Sequence, residues 1–206
     1  METQSLAGQS VFVGKVLKSK KNGFFVDLGA GDPVSYNNTV TLENIFGWKG
    51  LLIENGSDGE GIAHAYDHYR KNSSYALGDT TTMDYASVFV KNAVPKNVDY
   101  LSVNLTVSDG TEIKSLEKLS EVFDKYKFAT VTFKHDFYNG DHFNTLEQSR
   151  QIFNAAGYKL VFPDVSNDGN QFNDWYVYPA LVDMNYVNGI IQTESMDYKA
   201  IIDMMP

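Results

Sequence analysis

Two carboxylates and two glycines stand within six residues, Asp27-Leu28-Gly29-Ala30-Gly31-Asp32, after the apolar run Phe24-Phe25-Val26. A third carboxylate, Glu54, ends the next apolar run, Gly50-Leu51-Leu52-Ile53. Glycines after a strand let the backbone turn tightly and approach a ligand that a Cβ would push away. Carboxylates flanking such a turn repel a pyrophosphate, which seeks bare N–H groups and positive charge. They tolerate a ligand with a cation and a ribose but no phosphate, and S-adenosylmethionine is such a ligand. A dinucleotide fingerprint also needs a third small residue, where this chain has Val34. Asp27, Gly29, Ala30, Gly31 and Asp32 are therefore expected to hold S-adenosylmethionine rather than NAD. Glu54, about 20 residues beyond the turn, is the expected partner of the ribose hydroxyls. Asp79, after Gly78, is expected beside the adenine amino group.

The elements that must position these residues alternate between strand and helix, the mark of a parallel sheet with crossovers. Phe24–Val26 reads as a first strand stopped by an acid, and Thr39–Phe46 as a helix ended by Gly47. Strands are expected at Gly50–Glu54, Ser74–Leu77, Asp99–Leu105 and the β-branched Ala129–Phe133. Helices are expected over His64–Lys71, Leu116–Tyr126 and Thr145–Ala156, the last stopped by Gly157. Tyr158–Phe162 and Trp175–Tyr178 read as a closing antiparallel pair. The expected fold is α/β: a Rossmann-like class I methyltransferase sheet of seven mainly parallel strands, with helices on both faces.

Composition sets the outer limits. A chain of 206 residues with 43% hydrophobic content can bury the core of one domain. No apolar run approaches a membrane span, and no signal-peptide pattern opens the chain, so a cytoplasmic protein is expected. The chain has no cysteine, which excludes disulfides, thiolate metal sites and cysteine nucleophiles. A net charge of −9 argues against a nucleic-acid surface, which needs clustered Lys and Arg. The one basic run, Lys15 to Lys21, reads as the solvated end of a first helix. His64 and His68, four apart, read as a solvated helix face rather than a metal site.

Lys21-Asn22-Gly23-Phe24-Phe25-Val26-Asp27-Leu28-Gly29-Ala30, Asn37-Asn38-Thr39 and Gly47-Trp48-Lys49-Gly50-Leu51-Leu52-Ile53-Glu54 together resemble the FkbM family of S-adenosylmethionine-dependent methyltransferases. Val98 to Ser102, Ser149-Arg150, Gly157-Tyr158 and Asp174 to Val177 resemble a branch met in large algal viruses and marine microbes. The similarity runs from about Gln9 to Asp183, leaving residues 184–206 as an extension. It implies O-methylation of a sugar hydroxyl, for instance on a deoxysugar such as rhamnose in a surface glycan, with S-adenosylhomocysteine as product. It also implies a site residue where the fourth strand ends; the family usually has aspartate, and Asn104 stands here. Lys134-His135-Asp136 likewise replaces a common Glu-His-Asp. With two acids lost, Asn104 and Asp136 make a thin ligand set, and a divalent metal is not favoured.

A sugar hydroxyl attacks a methyl group only when a base takes its proton. His135, just after the fifth strand, is the expected base, with Asp136 orienting it or holding a hydroxyl, and His142 in reserve on the same loop. The acceptor is expected between that loop and Asn167 to Tyr176, where His142, Asp174 and Trp175 supply polar and aromatic groups. Two other readings stay open: an NAD-dependent oxidoreductase or epimerase, and a glycan-binding domain that has lost its catalytic acids. The apolar tail from Asn185 to Pro206 is expected to pack on the sheet, on a second copy or on a neighbouring domain of a longer polypeptide.

Overall fold

The computed structural model describes residues 4–56, 59–105, 109–141 and 143–206. Seven strands form one sheet: β1 (Phe24–Leu28), β2 (Lys49–Glu54), β3 (Ser73–Leu77), β4 (Asn97–Val103), β5 (Lys127–Lys134), β6 (Lys159–Asn167) and β7 (Asn170–Val177). Their order is β3-β2-β1-β4-β5-β7-β6. β1 to β5 pair in parallel, and β7 runs antiparallel to both of its neighbours, β5 and β6. The chain order therefore switches direction between β1 and β4, where an open α/β sheet leaves a crevice at its carboxyl edge. This is the expected class I methyltransferase architecture.

The strand pleat sends alternate side chains into two cores. Val26 and Leu28 of β1, with Leu51 and Ile53 of β2, pack under α4 (Tyr85–Lys91), α5 (Thr111–Ser120) and α6 (Thr145–Ala155). Phe25 and Leu52 face the other way, towards α1 (Gln9–Val16), α2 (Val40–Phe46) and α3 (Gly59–Tyr69). Each large apolar side chain so buried contributes roughly 1.5–3 kcal/mol. Gly50 is fixed by the same packing, because a Cβ there would overlap the Phe25 ring.

Several boundaries differ from the sequence reading. β1 does not stop at Asp27: Leu28 still pairs with Ile53 and Val103, so Asp27 lies inside the strand. The α5 helix starts at Thr111 and not Leu116, and α4 was not anticipated. β6 and β7 extend to meet at Asp168-Gly169, whose φ values of 51° and 86° form a tight hairpin turn. The stretch 167–176 is thus mostly strand rather than an acceptor loop. The tail packs on its own sheet through α7 (Met184–Asn188) and α8 (Tyr198–Met204), which bury Val187, Ile190, Ile201 and Met205 in the second core. It also borders β6, where Ser166 N donates to Met196 O at 2.9 Å.

The tail is therefore part of the fold. Ile201→Ala, at a fully buried position, is expected to lower stability by about 2–5 kcal/mol in urea melts. An unchanged midpoint would mean that the tail is not docked.

Candidate functional site

At the carboxyl edge of β1, β2 and β4 lies a cavity of about 470 Å³. Gly29, Gly31, Glu54 and Asn104 line it, four of the residues expected from the sequence, together with Asn55, Ile62, Thr80, Leu105, Asp109 and Thr111. Among the described residues its charged lining groups are Glu54 and Asp109, both acidic.

Backbone hydrogen bonds shape the glycine turn. Gly29 N and Ala30 N donate to Ile53 O at 2.9 and 3.3 Å, and Asn104 N donates to Leu28 O at 2.8 Å. The ends of β1 and β4 are pinched so closely that a Cβ on Gly29 would lie 2.6 Å from Asn104 O, and its φ of 78° also favours glycine. Gly31, at φ 55°, has no atom within 4 Å of the place a Cβ would take. Open space over a glycine in a cavity wall is a cradle for a ligand. Glu54 closes the turn: its Oε2 accepts from Gly31 N at 2.7 Å and its Oε1 from Asn55 N at 2.8 Å. A carboxylate offers about four lone-pair sites, so each oxygen retains capacity for a ligand hydroxyl.

Beneath the turn is a buried polar network that the sequence reading missed. Arg70, fully buried, pairs through Nε with Glu43 at 2.8 Å. Its other nitrogens donate to Asn37 Oδ1 at 3.2 Å and Thr39 Oγ1 at 2.8 Å. Asn37 Nδ2 in turn donates to the carbonyls of Ala30 and Asp32, both at 3.0 Å. Tyr66 OH donates to Gly31 O at 2.9 Å. Burial, with Glu54 and Asp27 nearby, raises the Tyr66 pKa, so the phenol stays a donor. The glycine turn is thus held from below by α2 and α3 while its upper side stays open.

The remaining expected residues lie elsewhere. Asp27 is 2% exposed and accepts from Thr39 Oγ1 at 2.8 Å, behind the cavity wall. Burial raises its pKa, and Arg70 and Thr39 partly offset that. It belongs to the network, not to the cavity lining. Ala30 is buried at the turn. Asp32 is spent on its own turn, accepting from Val34 N and Ser35 N at 2.9 and 2.7 Å. Asp79 accepts from Thr81 N and Oγ1 and borders a different cavity beside β3, while its neighbour Thr80 reaches the first. Asp109 and Thr111 could have been found from the sequence, since Asp-Gly-Thr marks a helix start just beyond a strand's carboxyl end.

His135, Asp174 and Trp175 form a separate region on β5 and β7. His135 is 1% exposed; its Nδ1 accepts from Phe137 N at 3.1 Å, and its Nε2 is 3.5 Å from Asp174 Oδ1. With its basic lone pair so occupied, it is not presented to an acceptor. Asp136 pairs with Lys134 at 3.2 Å and does not orient the imidazole. Asp174 is fully buried and takes two hydrogen bonds from Arg150, at 2.7 and 2.9 Å. Burial alone would raise its pKa, but Arg150, with His135 beside it, holds it well below the usual range. Trp175 packs against Phe12 in the second core, with ring centroids 4.9 Å apart. Neither Asp174 nor Trp175 is open to a sugar. His142 lies outside the described residues.

His135, Asp164 and Asp174 could together offer a metal three ligand atoms. Arg150 Nη2, however, already sits 2.9 Å from Asp164 and bonds Asp174. A guanidinium at that place neutralises the carboxylates and repels a cation.

No family model matches this chain, and no curated protein matches it. Solved structures do resemble it. An rRNA methylase from Streptococcus thermophilus superposes with a TM-score of 0.53 at 14% identity, over 86% of this chain and 98% of that one. A methyltransferase from Pyrococcus furiosus gives 0.52 at 14% identity, over 86% of each chain. A Streptococcus mutans protein assigned as a methyltransferase, solved with S-adenosylhomocysteine, gives 0.53 at 13% identity, over 86% of this chain and 99% of that one. At such identities the likeness shows the Rossmann-like methyltransferase fold.

Two outcomes follow from the buried charges. Arg70→Ala strands Glu43 without its partner and is expected to cost about 3–5 kcal/mol in denaturant unfolding; a cost under about 1 kcal/mol would contradict a buried pair. For Asp174, a depressed folded pKa means stability present above the unfolded value of about 3.9 and lost as the pH falls. The stability gap between wild type and Asp174→Asn should therefore shrink below about pH 4. A gap constant down to pH 2 would contradict this.

Proposed function

We propose that this chain is an S-adenosylmethionine-dependent methyltransferase whose acceptor is a sugar hydroxyl. The observation that carries the reading is the cavity at the switch point of the sheet, with a bare glycine cradle, a carboxylate at the end of β2 and no cation among its described lining residues. A dinucleotide's pyrophosphate would meet Glu54 and Asp109 there, with no cation among the described lining residues. The fold neighbours solved with S-adenosylhomocysteine or S-adenosylmethionine support the same cofactor.

Bound there, S-adenosylmethionine would supply a methyl carbon on a positively charged sulfur: the C–O bond to the acceptor would form as the C–S bond breaks, leaving S-adenosylhomocysteine, with the hydroxyl proton passing to the Asp109 carboxylate of the wall or to water. The chain's own residues have defined parts. Glu54 accepts the ribose hydroxyls while it holds the Gly31 amide. Gly29 and Gly31 let the backbone close on the ligand, and Ile62 and Thr80 offer an apolar and a hydroxyl wall for the base. Asn104, at the end of β4, faces the cavity from the acceptor side. The acidic walls favour a cation over a neutral ligand, and so favour substrate over product.

The sugar hydroxyl is supported by the FkbM resemblance and by charge. Fold neighbours include RNA methylases, but a chain of net charge −9 with no Lys or Arg among the described residues along the cavity is poorly suited to a polyanion. A second reading is a domain that binds cofactor and glycan without turnover. The enclosed His135 and the amide at Asn104, where the family usually has aspartate, favour it.

Calorimetric titration with S-adenosylhomocysteine, with NAD in parallel, tests the cofactor. One-site binding is expected, weakened about 10- to 100-fold by Glu54→Ala, as for lost charge-assisted hydrogen bonds. NAD binding without S-adenosylhomocysteine binding would overturn the reading. Transfer of labelled methyl to glycosides then separates the enzyme from the inert binder.

A further inference from the structure

Most phenylalanines of this chain are buried, yet one short segment exposes three aromatic rings. Phe137, Tyr138 and Phe143 are 40%, 49% and 38% exposed. They follow β5, at the same carboxyl edge of the sheet as the cavity. Phe143 lies against Gly110, where a Cβ would meet its ring at 2.9 Å. Gly110 stands between Asp109 and Thr111, both in the cavity wall. On its other side the segment borders a second, open hollow of about 580 Å³, lined by Phe137, Asp141, Glu147, Arg150, Gln151 and Asn154 among others. The aromatic segment therefore bridges the cofactor cavity and an open surface hollow.

Charge and chemistry narrow the occupant. Arg150 is the one cation among the described residues lining either hollow, and Asp164 and Asp174 occupy it. Glu54, Asp109, Asp141 and Glu147 make the remaining charge negative. A phosphorylated ligand would meet repulsion without a compensating cation. A neutral sugar ring suits the surface: its C–H face covers aromatic area, and its hydroxyls reach amides such as Gln151 and Asn154.

We propose that Phe137, Tyr138 and Phe143 form the platform on which the acceptor sugar ring stacks, placing a hydroxyl at the Asn104 side of the cofactor cavity. The platform rests on the methyltransferase reading above and gives it an acceptor subsite made of residues that the sequence reading did not single out. His135 is then a positioning residue: by accepting the Phe137 amide it fixes where the aromatic segment leaves β5.

The test is saturation-transfer NMR on protein saturated with S-adenosylhomocysteine, using methyl α-L-rhamnopyranoside, methyl β-D-xylopyranoside and adenosine monophosphate as probes. Ring protons of at least one glycoside should be saturated, and those of the nucleotide should not. In Phe137→Ala/Tyr138→Ala the glycoside affinity should fall about tenfold, while S-adenosylhomocysteine affinity holds. Phe143→Leu, which keeps the packing on Gly110, should give a smaller loss. No saturation of either glycoside, equal saturation in the double variant, or saturation of the nucleotide alone would overturn the platform. Wild-type protein that fails to bind S-adenosylhomocysteine would instead overturn the cofactor reading, seen in the calorimeter before any glycoside is added.

Discussion

The fully buried guanidinium of Arg70 is the constraint on which the cavity depends. A glycine-rich turn is conformationally free, and freedom is costly in a binding site, because the ligand must then order the loop itself. Arg70 removes that freedom from below. It reaches from the end of α3 to Glu43 in α2 and to Asn37 and Thr39, and Asn37 passes the constraint to the Ala30 and Asp32 carbonyls. Such a charge is tolerated in the interior only because its hydrogen bonds are nearly all made. The upper side of the turn is left as preorganised backbone.

From this constraint the polarity of the site follows. The carboxylates near the turn divide into two groups. Asp27 and Glu43 are consumed by the network, and Asp32 by its own turn. Glu54 and Asp109 line the cavity. The wall is negative, with no cation among its described residues, which suits a sulfonium nucleoside and opposes a phosphate. A second ionic cluster at the β5–β7 edge joins the partly exposed Arg150 and Asp164 to the buried Asp174 and His135, and His135 in turn accepts from the Phe137 amide where the chain leaves β5.

The strand order and the glycine turn were legible because they are local. Apolar runs ended by Gly29 and Glu54 have one reading in an alternating α/β chain, and the observed sheet has the expected seven strands. What sequence could not show was which carboxylate faces the ligand. Asp27 and Glu54 look equivalent at the ends of their runs. Leu28 extends β1 by one residue, and the register sets Asp27 level with Leu52, two residues inside the sheet edge that Glu54 reaches on the same face. The partners of Arg70 lie 27 to 37 residues away in sequence, beyond the reach of periodicity. Asn167 to Tyr176 resembled a polar loop because its amides and acids hide a hairpin whose turn is Asp168-Gly169. Position after a strand suggests a base at His135; its burial and the hydrogen bond it accepts from the Phe137 amide are not visible in the sequence.

The most direct test of the account is a crystal structure grown with S-adenosylhomocysteine. The account predicts ribose hydroxyls on Glu54, the ligand passing over Gly31, and its sulfur turned towards Asn104, with Arg70 and Asn37 unmoved. Ligand density away from Glu54 and Gly31, or a glycine turn that must rearrange with loss of the Arg70 contacts to admit the ligand, would contradict it.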